Sequence, residues 1–188
     1  MPQESYEYAI GRVSVMSTKM LKQNQMRRIS EAPTIKEAIA LLIETGYGEG
    51  NITEEEIAHG ELDLMIREQM NLTRKRILEL TPDVELTGLF LLHVDNHNMK
   101  TLLKARLLKT SGEQYLRDGG FFPLDMLKTC ITTRKYDSLP KVYRNAFNKI
   151  EMDISRKNID PMRFSATLDC ALFEYAKEVL DEKEEQGF

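Results

Sequence analysis

Apolar residues recur at helical spacing through most of the chain, and capping residues cut that pattern into about seven segments with no convincing strand. The first predicted helix runs from near Ser5 to near Arg28 and carries Ile10, Val13, Met16, Met20 and Leu21. Thr34 opens the second as a capping box with Glu37, and Gly46 closes it behind a stripe of Ile35, Ala38, Ile39, Leu42 and Ile43. A second capping box, Thr53 with Glu56, starts a long helix toward Leu80. Thr81-Pro82 reads as an N-cap followed by proline at the first helical position, and the helix it opens extends to about Leu108. Beyond it lie a short helix from Pro123 to about Thr132 and one from Leu139 to about Arg156, capped by Ser138 and entered through Pro140. Asp160-Pro161 opens the last, with Phe164, Leu168, Ala171, Leu172, Tyr175 and Val179 as its apolar face. The pattern predicts an all-α protein.

One stretch violates the pattern that surrounds it. Asp95, Asn96, His97 and Asn98 sit in the middle of an apolar helical run that resumes as Leu102-Leu103-Lys104-Ala105-Arg106-Leu107-Leu108. An unpaired polar group costs about 2–7 kcal/mol to bury, so these side chains either build a site or lock one piece of structure against another. Asp95 and Asn98 are three apart and share a helix face, so they can bind backbone groups of a neighbouring helix or cap its end. Ser111-Gly112 and Gly119-Gly120 bracket the polar loop that follows. That loop divides the chain into an expected first helical module, 1–110, and part of a second, 111–188.

Composition narrows the function classes. Charged residues make up 30% and hydrophobic ones 41%, the balance of a soluble folded chain. A net charge of −4 lacks the basic surface that nucleic-acid binding needs. No apolar run approaches the ~20 residues of a membrane span, and the polar start Met1-Pro2-Gln3-Glu4-Ser5 is not laid out like a signal peptide. Cys130 and Cys170 cannot define a disulfide framework and read as reduced, inert thiols.

The chemistry available is sparse. His93 and His97 stand at i, i+4, a spacing that can hold a metal on one helix face, with His59 or Glu61 as a possible third ligand. The glutamate of a His-Glu-x-x-His metalloprotease is missing, because Val94 follows His93. Gly46-Tyr47-Gly48-Glu49-Gly50 lacks the Lys-Ser/Thr ending of a phosphate loop. The cations Lys100, Lys104, Arg106 and Lys109 complement the C-terminal end of their helix dipole, as a solvated face or as a docking surface for an acidic partner or phospholipid headgroups. No catalytic, cofactor-binding or metal-binding set is assigned. The rival readings are a helical metal-dependent hydrolase using His93 and His97, and a helical adaptor.

Four stretches, in order, carry a family resemblance. Tyr6-Glu7-Tyr8-Ala9-Ile10-Gly11-Arg12-Val13 is followed by Glu44-Thr45-Gly46-Tyr47-Gly48, then Asp95-Asn96-His97-Asn98-Met99-Lys100-Thr101-Leu102-Leu103-Lys104-Ala105, then Leu168-Asp169-Cys170-Ala171-Leu172-Phe173-Glu174. Together they resemble the N-terminal half of the C-type stalk protein of V-type (archaeal and bacterial A/V-type) ATP synthases, the relative of the eukaryotic d-type protein. The resemblance implies helical modules that form a funnel-shaped central-stalk subunit, without catalysis or cofactor. Its implied partners are the rotor-shaft subunits D and F and the membrane c-ring, with a cytoplasmic location peripheral to the membrane. Asp95, His97, Asn98, Lys100, Lys104 and Arg106 become a structural or interface signature. Family members are nearly twice this length, so the weak helix stop at Gln186-Gly187-Phe188 is expected to mark a fragment.

Overall fold

The computed structural model describes residues 6–47 and 62–185, and every regular element among them is helical. They belong to two compact units, Met1–Pro82 and Asp83–Phe188. The first contains α1 (Tyr6–Thr18), α2 (Gln23–Ser30), α3 (Ile35–Glu44) and α4 (Leu62–Leu80). The second contains α5 (Val84–Gly88), a 3-10 turn at Leu89–Leu91, α6 (Leu92–Leu108), a 3-10 turn at Glu113–Tyr115, α7 (Leu124–Thr133), α8 (Lys141–Ser155) and α9 (Pro161–Glu185). No helix among the described residues is long and apolar enough to cross a membrane.

The first expected helix is two. Ser17 and Thr18 hydroxyls turn back onto the carbonyls of Ser14 and Val15, each at 2.7 Å, and compete with continuation of α1. The chain extends at Lys22, whose N–H donates to Gln25 Oε1 at 2.8 Å and so caps α2. In α3 half of the predicted box forms: Thr34 caps the helix, its Oγ1 accepting the Glu37 N–H at 3.2 Å, and Gly46 lies in the left-handed region at φ 81°. The Thr53 start of the next helix lies outside the described residues, while α4 ends at Leu80 as the pattern predicts. Apolar burial is thin here: α2 packs on α3, α1 on α4, and Ile39 is covered by Leu42, Ile43, Tyr47 and Ile66. Along α1, Ile10, Val13 and Val15 remain exposed.

The predicted helix from Pro82 to Leu108 is also interrupted. Asp83, not Thr81, provides the cap, accepting the Leu86 N–H at 2.9 Å. The helix narrows to a 3-10 turn directly after Gly88, where a Cβ would overlap the ring of Phe121. α6 then runs to Leu108, and Lys109 at φ 54° ends it. α7 ends within a residue of its predicted stop. α8 starts at Lys141 with Pro140 outside it, because Leu139 is drawn into the core just before. Asp160 Oδ1 caps α9 through the N–H groups of Met162 and Arg163 at 3.0 and 3.1 Å.

The core of the second unit is one cluster in which α6 packs on α7 and α9, and α9 on α8. Leu92, Leu127, Tyr143, Phe147 and Leu168 are fully buried. Each apolar side chain of this size contributes about 1.5–3 kcal/mol by leaving water. Tyr136 stacks on Phe147 with ring centres 4.6 Å apart, which fixes the chain entering α8. The expected division at 110/111 falls inside this unit, since α6 holds the following loop. The units part instead between Pro82 and Asp83, and Asp83 is tied to Lys183 of α9 at 2.9 Å.

Candidate functional site

The polar run of α6 is consumed almost entirely in binding the segment 115–122. Asp95 is fully buried, and its two oxygens accept the backbone N–H groups of Phe121 and Phe122 at 2.7 and 3.2 Å. One turn on, Asn98 meets Arg117 as a strand partner would: its Oδ1 accepts the Arg117 N–H at 2.9 Å and its Nδ2 donates to the Arg117 carbonyl at 2.8 Å. His97 Nε2 lies 2.9 Å from the Tyr115 carbonyl, so it carries the hydrogen and donates. Gly120 passes so close to Asp95 that a Cβ would overlap Oδ1, and Gly119 turns the chain there at φ 79°. The i, i+3 spacing predicted the shared face. The segment it grips is a loop, not a helix, because Gly119-Gly120 lets the chain pass close enough to present its N–H groups.

Two ion pairs extend the frame along α6. Asn96 Nδ2 and Lys100 Nζ both donate to Asp169 Oδ1 on α9, at 2.6 and 2.5 Å. Hydrogen bonding from Lys100, aided by Asn96, holds the Asp169 carboxyl below its ordinary range. Nearer the helix end, Arg106 donates to Glu151 of α8, to the Tyr136 hydroxyl and to the Ile131 carbonyl in the last turn of α7. Burial works against the Arg106 charge, but the bonds to Tyr136 and Glu151 outweigh it and raise its pKa. Burial and the bond to Glu151 push the Tyr136 hydroxyl up to about 12. Lys104 points to solvent instead. Tyr136, Glu151, Arg117 and Phe121 were not singled out from sequence, and only the Gly119-Gly120 pair flagged the loop.

The histidines do not converge. His93 Nδ1 is 2.8 Å from the Phe90 carbonyl while His97 is tethered to Tyr115, and among the described residues no three His, Cys, Asp or Glu side chains gather as metal ligands would. His59 and Glu61 lie outside the described residues. Cys130 is buried, which pushes its thiol pKa up, and Cys170 is exposed.

Asp95 gives the unit a pH dependence of definite sign. Burial raises its pKa from 3.8 to about 7 against the pull of the two N–H donors. A folded pKa above the unfolded one favours the protonated fold. The contribution, on the order of a few kcal/mol, is complete below about pH 4 and is lost as pH rises through about 7. Asp83 and Asp169, whose pKa values are lowered, act with opposite sign and below that window. Thermal unfolding should therefore show a decline in stability from pH 4 to 7 that Asp95→Asn abolishes; an identical slope in the variant would disprove the assignment.

Among known proteins, no curated sequence and no solved structure matches this chain. A family model does: that of the ATP synthase (C/AC39) subunit, over residues 9–188, which covers most of the first compact unit, all of the second and the whole clamp from Asp95 to Phe122. The chain belongs to the ATP synthase (C/AC39) subunit family.

Proposed function

We propose that the chain is a non-catalytic central-stalk subunit of a rotary V-type ATP synthase, coupling the rotor shaft to the membrane c-ring during proton or sodium transport. The family match over residues 9–188 carries this reading. The use of the signature residues supports it. Asp95, Asn98, Lys100 and Arg106 spend their hydrogen-bonding groups on backbone and on partner helices, which suits a stiff frame rather than a reactive site. A torque-bearing part gains from such cross-links, because each fixes one helix against another with directional bonds. Lys104, left exposed beside them, is available to a neighbouring protein of the complex.

On this reading the protein works on the cytoplasmic side, peripheral to the membrane, between the shaft subunits D and F and the ring. The purified chain is expected to co-elute with the D–F heterodimer of the same organism and to titrate it saturably in calorimetry. If neither this chain nor a longer form binds, the coupling reading fails.

A further inference from the structure

Asp95 is covered by the segment it holds. Gly120 lies against Oδ1 so closely that no Cβ fits, and Phe121 and Phe122 donate to the two carboxyl oxygens from the next two positions. The carboxyl is fully buried, yet the segment 119–122 above it is only half-buried. The shortest way for water to reach Asp95 is for that strap to lift. It has a place to bend and two fixed ends: Gly119 sits at φ 79°, Leu116 is buried on one side, and Pro123 leads into α7 on the other. Upstream, Asn98 grips both main-chain groups of Arg117, and its amide does not titrate.

Beyond the two N–H donors, nothing set around Asp95 offsets a negative charge. Among the described residues, Lys100 is taken by Asp169 of α9 and Lys128 of α7 by Glu113. Arg144 of α8 is turned to the carbonyls of Asp137 and Leu139, His97 to that of Tyr115 and His93 to that of Phe90. Arg117 and Asp118 of the loop and Asp125 of α7 lie exposed. Across the core stand the hydroxyls of Tyr143 on α8 and Tyr175 on α9, with Glu85 of α5 acting on the latter. The Tyr143 hydroxyl is buried without a hydrogen bond, and burial and then the Asp95 charge push its pKa up, so it gives the carboxylate no relief. An ionised carboxylate is costly in such a place unless water reaches it.

We propose that segment 119–122 is a proton-operated strap: it stays closed on the protonated Asp95 carboxyl and swings out at Gly119 when the carboxyl loses its proton to bulk water, while helices α6 to α9 stay packed. Opening uncovers Phe121, Phe122 and the turn at Gly88, so pH sets how often that face is presented. The response is a local opening rather than loss of the fold, and it holds whether or not the chain couples a rotor.

Amide hydrogen exchange of the full chain, resolved by residue with NMR, reads this opening directly. Burial raises the closed carboxyl to about 7, and the hydrated open one returns toward 3.8. The opening constant therefore rises by up to about tenfold per pH unit between those values and levels off above them. After correction for the pH dependence of free-amide exchange, protection of the Phe121 and Phe122 N–H groups should fall in that pattern. It should also lie at least about tenfold below that of the Phe147 and Ile150 N–H groups of α8, which report loss of the whole core. Asp95→Asn should flatten the profile of the strap. Protection that does not change with pH overturns the proposal, as does a slope retained in the variant. Protection equal to that of α8 also overturns it, since the segment then opens only with the fold. The parent's own profile decides the matter even if the variant folds poorly.

Discussion

Asp95→Ala is expected to destabilise the second unit by about 2–4 kcal/mol at pH 5. The reason lies in the donors it abandons. The N–H groups of Phe121 and Phe122 point into the protein toward a fully buried carboxyl, and no water replaces it without a cavity being opened. Phe122 also packs edge-on against Tyr143 at 6.0 Å, so loosening this strand of loop disturbs the aromatic core behind it. The cost should shrink above pH 7, where the parent carboxylate is ionised in a site that disfavours charge. Chemical denaturation at both pH values would check this. Equal stability of parent and variant at pH 5 would show that the loop is held by Asn98 and packing alone.

Arg106→Ala should cost a similar amount, about 2–4 kcal/mol, for a different reason. The side chains of Arg106 and Glu151 are only 17% and 20% exposed, and their charges are stable there because each satisfies the other. Removing the cation leaves Glu151 facing only the Tyr136 hydroxyl and frees the Ile131 carbonyl at the end of α7. Arg106→Lys should recover only part of the loss, since a compact ammonium lacks the planar fork that spans Ile131 on α7, Tyr136 in the following turn and Glu151 on α8. If instead Arg106→Lys melts with the parent, one contact carries the site and the triad is incidental.

The helical character of the chain was readable from periodicity, and its best-capped elements were readable almost to the residue. Thr34 with Glu37, and Asp160 before Pro161, bond their own first turns, so the information is local. The misreadings share a cause. The break between α1 and α2 comes from hydroxyl back-bonding that apolar spacing does not register. The interruption after Gly88 falls where Phe121, from the far side of α6 in the sequence, packs so closely that only glycine fits. A period of 3.6 residues is blind to a ring that comes from another part of the fold.

The site divides along the same line. Sequence alone marked Asp95, Asn96, His97 and Asn98 as residues that need partners, because polar groups inside an apolar helix must be satisfied, while Lys100 and Arg106 read only as cations suited to the helix's C-terminal end. It also placed Asp95 and Asn98 on one face and, through order and spacing of four stretches, pointed to the ATP synthase family that the family model confirms. Only the tertiary structure decided who the partners are: backbone of 115–122 for three of them, Asp169 for Lys100, and Glu151 with Tyr136 for Arg106. Hydrogen bonds to backbone leave almost no trace in residue type, since every residue but proline offers the same N–H and carbonyl. A demand for partners is therefore written along the chain, while their identity exists only once the chain has folded.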